Sequence, residues 1–358
     1  MRGGERVLEE FCRLFPLAPL YTLVHAPGRV SPLIEQRAIH TSFLQRIPGI
    51  ARRYRYFLPL FPAAARGLHL RGYDLVLSSS HAAAKGVSIA PGTLHVCYLH
   101  APLRYMWDSF DDYFGPGRAR WPVRAAAHLL RPWLQRWDRA TTAGVDRLLV
   151  NSRNIQAQVQ RIYHRDATVV YPPVAVERFA PGEQREDFYL MVGAFAPNKR
   201  VDLAVQAFTR MNKPLRIVGG GQTEAACRRM AGPSITFLGE RSDAEIAALY
   251  AQARAFVFPG EDDFGITPVE AQASGTPVIA RAVGGALETV TSATGILFKE
   301  PTVEALSGAV EEFERRREEF SPQACVANAA RFAAPRFREE VLRELERAWQ
   351  AHGGRDAR

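Results

Sequence analysis

Short apolar runs alternate with longer stretches of helical periodicity along the whole chain. This alternation is typical of a parallel sheet whose faces are covered by helices. In the first half of the chain, the predicted strands are residues 20–24, 73–78, 95–99, 147–150 and 168–171. In the second half, they are residues 188–192, 215–218, 235–238, 255–258, 277–280 and 295–297. The pattern therefore predicts an α/β protein with two doubly wound parallel sheets.

A proline-rich segment separates the two sets of predicted strands. Tyr171 is followed by Pro172 and Pro173, and Pro181 stands shortly after them. Paired prolines cannot continue a helix or a central strand, so the domain boundary is predicted here. The predicted domains are residues 1–174 and 182–335. Ligands of such folds bind at the carboxyl ends of the strands, which we expect to face a cleft between the domains.

Composition narrows the class of protein without identifying it. The 358 residues are 47% hydrophobic and 23% charged, as in ordinary soluble proteins of two domains. Four cysteines lie far apart with no C-x-x-C pair, which argues against a zinc site or a disulfide framework and favours a reducing cytoplasm. No apolar run reaches the length of about 18 residues that spans a bilayer, and the start lacks the apolar core of a signal peptide.

The net charge of +9 permits binding to anionic lipid or to phosphorylated substrates. The arginines are dispersed, and no zinc-finger or RNA-recognition signature accompanies them. Nucleic acid is therefore not an expected partner.

The most informative segment is the acidic turn of residues 260–270, with the sequence GEDDFGITPVE. It follows the predicted strand 255–258, and Thr267 and Pro268 suit the N-cap and the first position of a new helix. The N-terminus of a helix carries unpaired N–H groups and a partial positive charge, which suit a phosphate, and the flanking carboxylates suit sugar hydroxyls. The segment predicts a nucleotide-sugar site. The alternative is a capping box, in which Glu270 bonds back to the amide of Thr267.

This turn resembles the Glu-x7-Glu signature of the retaining, nucleotide-sugar-dependent glycosyltransferases of family four. Asp262 stands at the first carboxylate of that signature, with Glu261 adjacent and able to replace it, and Glu270 stands at the second. The resemblance implies that Glu270 holds the ribose and that Asp262 or Glu261 orients the donor sugar. Further donor-binding residues that the motif implies are Phe264, Gly265, Ile266 and Thr267.

The family resemblance also carries expectations about the whole chain. It implies the GT-B fold, in which two Rossmann-like domains face a cleft. It implies a last helix, over residues 336–358, that packs back on the first domain. It further implies a transfer that needs no metal ion and no cofactor besides the donor substrate, a nucleotide diphosphate sugar.

Residues 191–202 begin the predicted second domain and resemble the strand, loop and helix with which the family grips the donor diphosphate. Lys199 matches the family's lysine, Arg200 follows it, and Ala194 stands where many members carry arginine. The alternative is that both cations are solvated residues at a helix start, although the helix dipole disfavours cations there. Gly219, in the glycine turn after the strand at 215–218, is implied as a lining residue of the base pocket.

In the first domain, residues 98–108 resemble the His-x-Pro-x-Arg-Tyr stretch of a polysaccharide-assembly branch of the family. His100 would bind the transferred sugar or position the acceptor. Arg104 would bind a phosphate of the acceptor, or alternatively would pair with Asp108 one helical turn away. Residues 78–86 leave another strand toward the same edge, and there the sequence does not separate ligand binding from packing.

The same stretch, together with residues 264–270, is most similar to mannosyltransferases of O-antigen or exopolysaccharide synthesis. The resemblance therefore implies GDP-mannose as the donor and a glycan or lipid-linked oligosaccharide as the acceptor. Residues 52–61 mix arginine with aromatic residues, which suits the headgroup layer of a cytoplasmic membrane face. A core-facing helix with a basic rim explains this composition equally well.

The start of the chain departs from the family pattern. The family opens with a buried strand that feeds a glycine loop, whereas Gly3, Gly4 and Glu5 stand here without a strand before them. The resemblance implies a donor-binding role for Gly4, and we expect that about a dozen residues, including the first strand, are missing.

Two other functions remain open from the sequence. A glycosidase with paired carboxylates is one, but it leaves Lys199 without a role. A catalytically silent homologue that only binds a nucleotide sugar is the other. Asp262, Ala194 and the early start favour that second hypothesis.

Overall fold

The computed structural model describes residues 3–108, 110–115 and 120–356. The chain divides into two compact units. The first consists of Met1–Pro172 and Phe337–Arg358, and the second of Pro173–Arg336. The division falls inside the proline-rich segment.

Parallel strands form the sheets of the first unit. They are β1 (Leu20–Thr22), β2 (Ile39–Thr41), β3 (His69–Leu70), β4 (Leu75–Ser80), β5 (Ser88–Ile89), β6 (Leu94–Leu99), β7 (Arg147–Val150) and β8 (Thr168–Val169). The main sheet has the order β4-β6-β7-β8, while β1 pairs with β2 and β3 pairs with β5. The predicted strand at 20–24 thus pairs outside the main sheet. Its partner β2 was not predicted, nor were β3 and β5, because two or three residues give no readable alternation.

Helices cover this sheet. They are α1 (Gly3–Leu14), α2 (Pro32–Glu35), α3 (Ile50–Arg53), α4 (Phe61–Arg66), α5 (Phe110–Phe114), α6 (Trp121–Ala143) and α7 (Arg153–Tyr163). Short 3-10 helices lie at Phe43–Arg46, Tyr54–Leu60, Ala84–Gly86 and Arg104–Met106. One apolar cluster joins α1 to β6 through Phe11 and Tyr98 and also includes Phe337, in the helix that ends the chain. The rings of these three residues contact one another at centroid distances of 5.7–5.9 Å.

The second unit is built on one six-stranded parallel sheet. Its strands are β9 (Tyr189–Val192), β10 (Leu215–Val218), β11 (Ile235–Gly239), β12 (Ala255–Phe258), β13 (Val278–Arg281) and β14 (Gly295–Phe298). Their order is β11-β10-β9-β12-β13-β14. This is the 3-2-1-4-5-6 order of a Rossmann fold, whose direction reverses between β9 and β12.

Apolar helix faces bury both sides of the second sheet. The helices are α8 (Val201–Met211), α9 (Glu224–Met230), α10 (Asp243–Gln252), α11 (Ile266–Ala273), α12 (Ala286–Thr289), α13 (Val303–Arg315) and α14 (Pro322–Ala330). Short 3-10 helices lie at Val176–Arg178, Pro197–Lys199 and Arg317–Glu319. The last helix, α15 (Ala334–Asp356), begins in the second unit and enters the first at Phe337. The predicted tail helix extends to 358, and residues 357 and 358 lie outside the described residues.

The described residues include neither a disulfide bond nor a membrane-spanning helix. All four cysteines are buried free thiols. Within the described ranges, no helix combines the length and the apolar character that crossing a membrane requires.

Candidate functional site

The reversal of strand order in the second unit brings two loops together. Residues 193–200 follow β9, and residues 259–265 follow the adjacent strand β12. The N–H of Glu261 donates to the carbonyl of Asn198 at 2.9 Å, and the Asn198 side chain donates back to the Glu261 carbonyl at 3.1 Å. Because ligands of doubly wound sheets bind where the strand order reverses, these loops form the candidate site of this unit.

Lys199 and Asp262 connect the two loops through their side chains. The Lys199 ammonium donates a hydrogen bond to the Asp262 carboxylate, and it lies 5.6 Å from the centroid of the Phe258 ring. Both side chains are about one-fifth exposed, at 22% and 23%. The predicted phosphate-binding cation and the predicted sugar-orienting carboxylate are therefore direct partners.

The contacts of Arg200 differ from its predicted role in binding the donor diphosphate. It is the N-cap of α8 in a left-handed conformation, and its guanidinium donates to the Asp202 carboxylate at 3.2 Å. Arg200 therefore has an acidic partner within its own helix start. The alternative, a solvated residue at a helix start, fits Arg200 better than it fits Lys199.

The start of α11 corrects the predicted cap. Gly265 is the N-cap, with φ of 83°, and the helix begins at Ile266. A residue with a side chain rarely adopts this left-handed conformation, so glycine sets the point where the helix starts. Thr267 and Pro268 are instead the second and third helical residues, so the predicted N-cap was wrong, and a capping box headed by Thr267 is excluded because its backbone is helical. The N–H groups of the first turn come from Ile266 and Thr267, since proline has none.

Glu270 lies in the second turn of α11 and is buried. The Tyr250 hydroxyl lies 3.5 Å from Glu270 Oε2, at the long limit of a hydrogen bond. The helix itself is fixed by Gln272, whose side chain donates to the carbonyls of Pro268 and Thr289 at 3.0 and 2.9 Å. The position of Glu270 is therefore set by a rigid and buried helix.

The acidic turn rests on the backbone of a neighbouring glycine pair. The N–H of Gly285 donates to the Asp262 carbonyl at 2.9 Å. A Cβ atom at Gly285 would lie 2.0 Å from the carbonyl oxygen of Phe264, and one at Gly284 would lie 2.3 Å from that of Asp262. The loop after β13 thus has to lack side chains at these positions for the turn to pack against it.

The other predicted donor-side residues lie near the same edge of the sheet. Phe264 is buried, and its ring packs against Phe332 at 5.3 Å between centroids. Gly219 follows β10, and next to it the Gly193 N–H donates to the Val218 carbonyl at 3.0 Å. Lys199, Asp262, Glu261, Gly219 and the start of α11 therefore all follow the carboxyl ends of adjacent strands.

In the first unit, His100 directly follows β6 and is 5% exposed. Its Nε2 and the Ser79 hydroxyl are 2.8 Å apart, and its carbonyl accepts a hydrogen bond from Asn151 at 2.9 Å. These partners follow or end β4 and β7, so three adjacent strands meet at this histidine.

Burial and the neighbouring His81 hold the pKa of His100 well below its ordinary value. His100 is therefore neutral at physiological pH, and it can exchange hydrogen bonds with a hydroxyl without carrying charge.

His81 is the residue at this site that the sequence analysis left undecided. Its ring stacks on His100 with centroids 4.0 Å apart and planes 12° from parallel. The side chain of His81 is exposed, whereas His100 beneath it is buried. Gly4, in the first turn of α1, lies so close that a Cβ atom there would be 2.1 Å from His81 Nε2. Gly4 is thus found in a helix beside His81.

Arg104 lies in the 3-10 helix Arg104–Met106, which continues the His100 loop. Its predicted alternative partner, Asp108, accepts a hydrogen bond from Arg161. Helix α6 holds this loop: Gln135 donates to the Met106 carbonyl at 2.7 Å, and Arg131 donates to the same oxygen at 3.0 Å.

A buried ion pair also holds the segment that follows His100 against α6. The Lys85 ammonium donates to Asp138 in α6, and both side chains are fully buried. The other carboxylate oxygen of Asp138 accepts from Trp107 Nε1 at 2.8 Å and from the Tyr163 hydroxyl at 2.6 Å. Asp138 therefore links the segment after β4, the His100 loop and α7. This network could not be predicted from the sequence, because Asp138 and its partners are 25 to 53 residues apart along the chain.

The basic aromatic segment at 52–61 packs largely inward. Tyr54, Phe57 and Leu58 are half-buried against an apolar cluster, Phe61 is buried in it, and Tyr56 is 84% exposed. The side chains of Arg52 and Arg55 lie outside the described residues. The core-facing alternative thus accounts for most of the described aromatic side chains.

Groups of three or more His, Cys, Asp or Glu side chains able to hold a metal ion do not occur among the described residues.

Two protein families match consecutive parts of the chain. Residues 1–178 match the family described as Glycosyltransferase Family 4, and residues 175–332 match the family described as Glycosyl transferases group 1. The two matches lie end to end, and each covers one of the two units apart from the last helix.

Relatives named D-inositol 3-phosphate glycosyltransferase share part of the sequence. The protein from Mycobacterium avium is 31% identical over 166 residues, which are 39% of this chain and 39% of its own. The protein from Mycobacteroides abscessus is 30% identical over 230 residues, which are 57% of this chain and 52% of its own. The chain therefore spans about half, or less, of the length of these curated relatives.

Solved structures resemble the whole chain at low sequence identity. Sucrose-phosphate synthase from Thermosynechococcus elongatus has a TM-score of 0.72 and 19% identity, over 97% of this chain and 92% of its own. Anabaena HepE, solved in complex with UDP and glucose, has a TM-score of 0.69 and 16% identity, over 96% of both chains. These similarities show that the chain has the predicted GT-B fold.

Proposed function

We propose, from the two glycosyltransferase-family domains that the chain carries on a GT-B fold, that it transfers a hexose from a nucleotide diphosphate sugar to a glycan or lipid-linked glycan. The observation that carries this proposal is the junction of two loops at the strand-order reversal of the second unit. It combines a cation, carboxylates and a helix start within one small region, and these are the groups that a diphosphate and a sugar require.

The donor would occupy the edge of the second sheet. Lys199 would bind the diphosphate as a compact positive charge, and the N–H groups of Ile266 and Thr267 would donate to its oxygens. Glu270 would accept hydrogen bonds from the ribose hydroxyls. Asp262 is the partner of Lys199, so a phosphate that attracts the ammonium would release the carboxylate for the sugar hydroxyls.

The reaction that we propose retains the anomeric configuration. The acceptor hydroxyl would attack the anomeric carbon from the face that the diphosphate leaves, the new glycosidic bond would form as the bond to the diphosphate breaks, and the hydroxyl proton would pass to a departing phosphate oxygen. Lys199 and the amides at the start of α11 would stabilise the charge that grows on the leaving diphosphate, an effect of several kcal/mol in comparable sites. Comparison of the anomeric configuration of product and donor by NMR tests this step, and an inverted product would overturn it.

Mannose from GDP-mannose is the proposed sugar and donor, as the motifs in residues 98–108 and 264–270 suggest. HepE was solved with UDP and glucose, which makes UDP-glucose the first competing donor. The names of the mycobacterial relatives make an inositol phosphate the first competing acceptor, for which Arg104 would supply a phosphate-binding cation.

We propose α6, instead of the segment at 52–61, as the surface that contacts a membrane. Leu129 and Trp133 lie on one face of this helix at a spacing of four residues, and their side chains are 81% and 44% exposed. Trp121, at the start of the helix, is 78% exposed. Exposed tryptophan and leucine on a helix of a basic protein are typical of contact with an anionic membrane surface, which a lipid-linked acceptor would require.

Binding of nucleotides by the full chain tests the function directly. Thermal shifts with a panel of nucleoside diphosphates and nucleotide sugars should show stabilisation by one base, because a ligand that binds only the folded state raises its stability. The stabilising donor, with glycan acceptors, should then yield a glycoside and a free nucleoside diphosphate. Absence of any nucleotide binding would overturn the proposal. Binding without product would instead support the silent homologue, and sugar release without nucleotide would support the glycosidase.

A further inference from the structure

Two histidines share one position at the carboxyl edge of the first sheet. His100 is buried immediately after β6, and its Nε2 bonds with Ser79. His81 is exposed, follows the end of β4, and covers one face of the His100 ring at 4.0 Å. The edges of both rings therefore belong to a single small surface.

The stack places a second imidazole at the carboxyl edge of the sheet. The exposed imidazole of His81 covers a histidine that is only 5% exposed, so the polar ring edge of His81 lies at the surface directly above His100. The neighbouring backbone also makes room for the second ring, because residue 4 has no side chain to displace His81 Nε2.

We propose that His81 is a second sugar-binding residue of the first unit and that its imidazole and that of His100 together accept and donate hydrogen bonds to hydroxyls of the bound hexose. This inference rests on the proposed function, because it names a further residue of the same site. His81 contacts the sugar with its ring edge, while stacking fixes the ring plane. Gly4 acts on the site through His81, since its missing side chain leaves the space that the imidazole occupies.

The substitution His81→Phe separates hydrogen bonding from packing. Phenylalanine keeps a flat ring for the stack and removes both nitrogens. We expect kcat/KM to fall by about tenfold or more, the effect of a lost hydrogen bond to a bound polar group. The melting temperature and the affinity for the nucleoside diphosphate should remain those of the unsubstituted chain. A packing role predicts unchanged kcat/KM in this variant, and that result would overturn the proposal.

His40→Phe is the matched control. His40 is another exposed histidine of the first unit that stacks on an aromatic ring, that of Tyr21, with centroids 4.7 Å apart. The same substitution at this position should leave kcat/KM unchanged. An equal loss in both variants would show that the effect of His81→Phe is not specific, and would overturn the proposal.

A double-mutant cycle tests the role given to Gly4. Gly4→Ala should displace the His81 ring and lower kcat/KM in the unsubstituted chain, but should have little further effect in a His81→Ala background. Additive losses would show that Gly4 acts independently of His81 and would remove it from this part of the proposal.

A binding measurement that does not depend on catalysis separates this inference from the proposed function. The imidazole C–H resonances of His81 and His100 should shift on titration with free mannose or glucose, and those of His40 should not. If the nucleoside diphosphate binds but neither hexose moves these resonances, the His81 proposal fails and the proposed function stands. If the resonances move but no nucleotide binds, the proposed function fails and the sugar-binding role of His81 stands.

Discussion

Lys199 and Asp262 form an ion pair that joins the loop after β9 to the loop after β12. The pair lies where the strand order of the second sheet reverses, and one-fifth of each side chain remains exposed. Ion pairs with such exposure contribute little to stability, about 1 kcal/mol or less. We therefore expect Lys199 and Asp262 to act mainly in ligand binding.

Replacement of the cation should weaken nucleotide binding. In Lys199→Met, the loss of the ammonium should raise the dissociation constant of the nucleoside diphosphate by about 10- to 100-fold, because a charge-assisted hydrogen bond is removed. Isothermal calorimetry measures this change. Arg200→Met is the matched control, since Arg200 is paired with Asp202. Equal losses in the two variants would contradict the specific role of Lys199.

Replacement of the carboxylate should affect transfer more than nucleotide binding. Asp262→Asn removes the charge but keeps the shape of the side chain. We expect turnover to fall by about 10-fold or more while the nucleoside diphosphate still binds, because the proposed partner of Asp262 is the sugar. Glu261→Gln serves as the comparison, and a larger loss there would identify Glu261 as the residue that orients the sugar.

Glu270→Gln should greatly weaken donor use and leave the fold intact. The residue is buried on α11, which Gln272 fixes independently through two backbone carbonyls. KM for the donor measures the effect, and the melting temperature checks the fold. Tyr250→Phe removes the hydroxyl 3.5 Å from Glu270 and should change KM little, because this bond is at the limit of hydrogen-bond geometry. Unchanged turnover and KM in Glu270→Gln would remove this residue from the site.

Acid should destabilise the first unit through His95. Burial lowers the pKa of His95 from 6.5 to about 4. Between these pH values the unfolded chain binds a proton that the folded chain does not, so the free energy of unfolding falls as the pH decreases from 6.5 to 4. The loss amounts to about 3 kcal/mol for this group. Urea unfolding at several pH values measures how the free energy of unfolding depends on pH. This dependence should be weaker in His95→Gln, whereas the substitution of the exposed His69 by Gln should leave it unchanged.

Membrane contact through α6 should depend on its exposed apolar residues. The double variant Leu129→Ser and Trp133→Ser should bind less to vesicles that contain anionic lipid, as measured by flotation. Trp349→Ser removes an exposed tryptophan from α15 and should bind as the unsubstituted chain does. If the double variant floats with the vesicles to the same extent, α6 is not the contact surface.

The sequence predicted the sheets and the position of the loops well, because buried parallel strands leave a continuous apolar signal. Residues 255–258 and 215–218 have the predicted bounds. The start of α11 was misplaced because Thr267 and Pro268 carry strong local signals for a helix start. The left-handed backbone of Gly265 overrode them. Local propensity could not show this, since it depends on how the turn packs.

Contacts between distant residues could not be predicted at all. The stack of His81 on His100 and the buried pair of Lys85 with Asp138 each form only when separate strand ends and helices meet. Nothing in the spacing of these residues marks them, because they lie on different elements. The pairing of Lys199 with Asp262 is unpredictable for the same reason, although separate motifs mark each of the two residues.

The acidic turn owes its course to the Gly284–Gly285 backbone beneath it and to Asn198 beside it. Of its acidic side chains at positions 261–263, Asp262 adds the ion pair with Lys199 to these backbone contacts. A library that varies positions 261 and 263 while retaining Asp262 and both glycines would present different chemical surfaces on the same backbone contacts. This makes the turn a practical starting point for redesigning the sugar selectivity that we propose for this site.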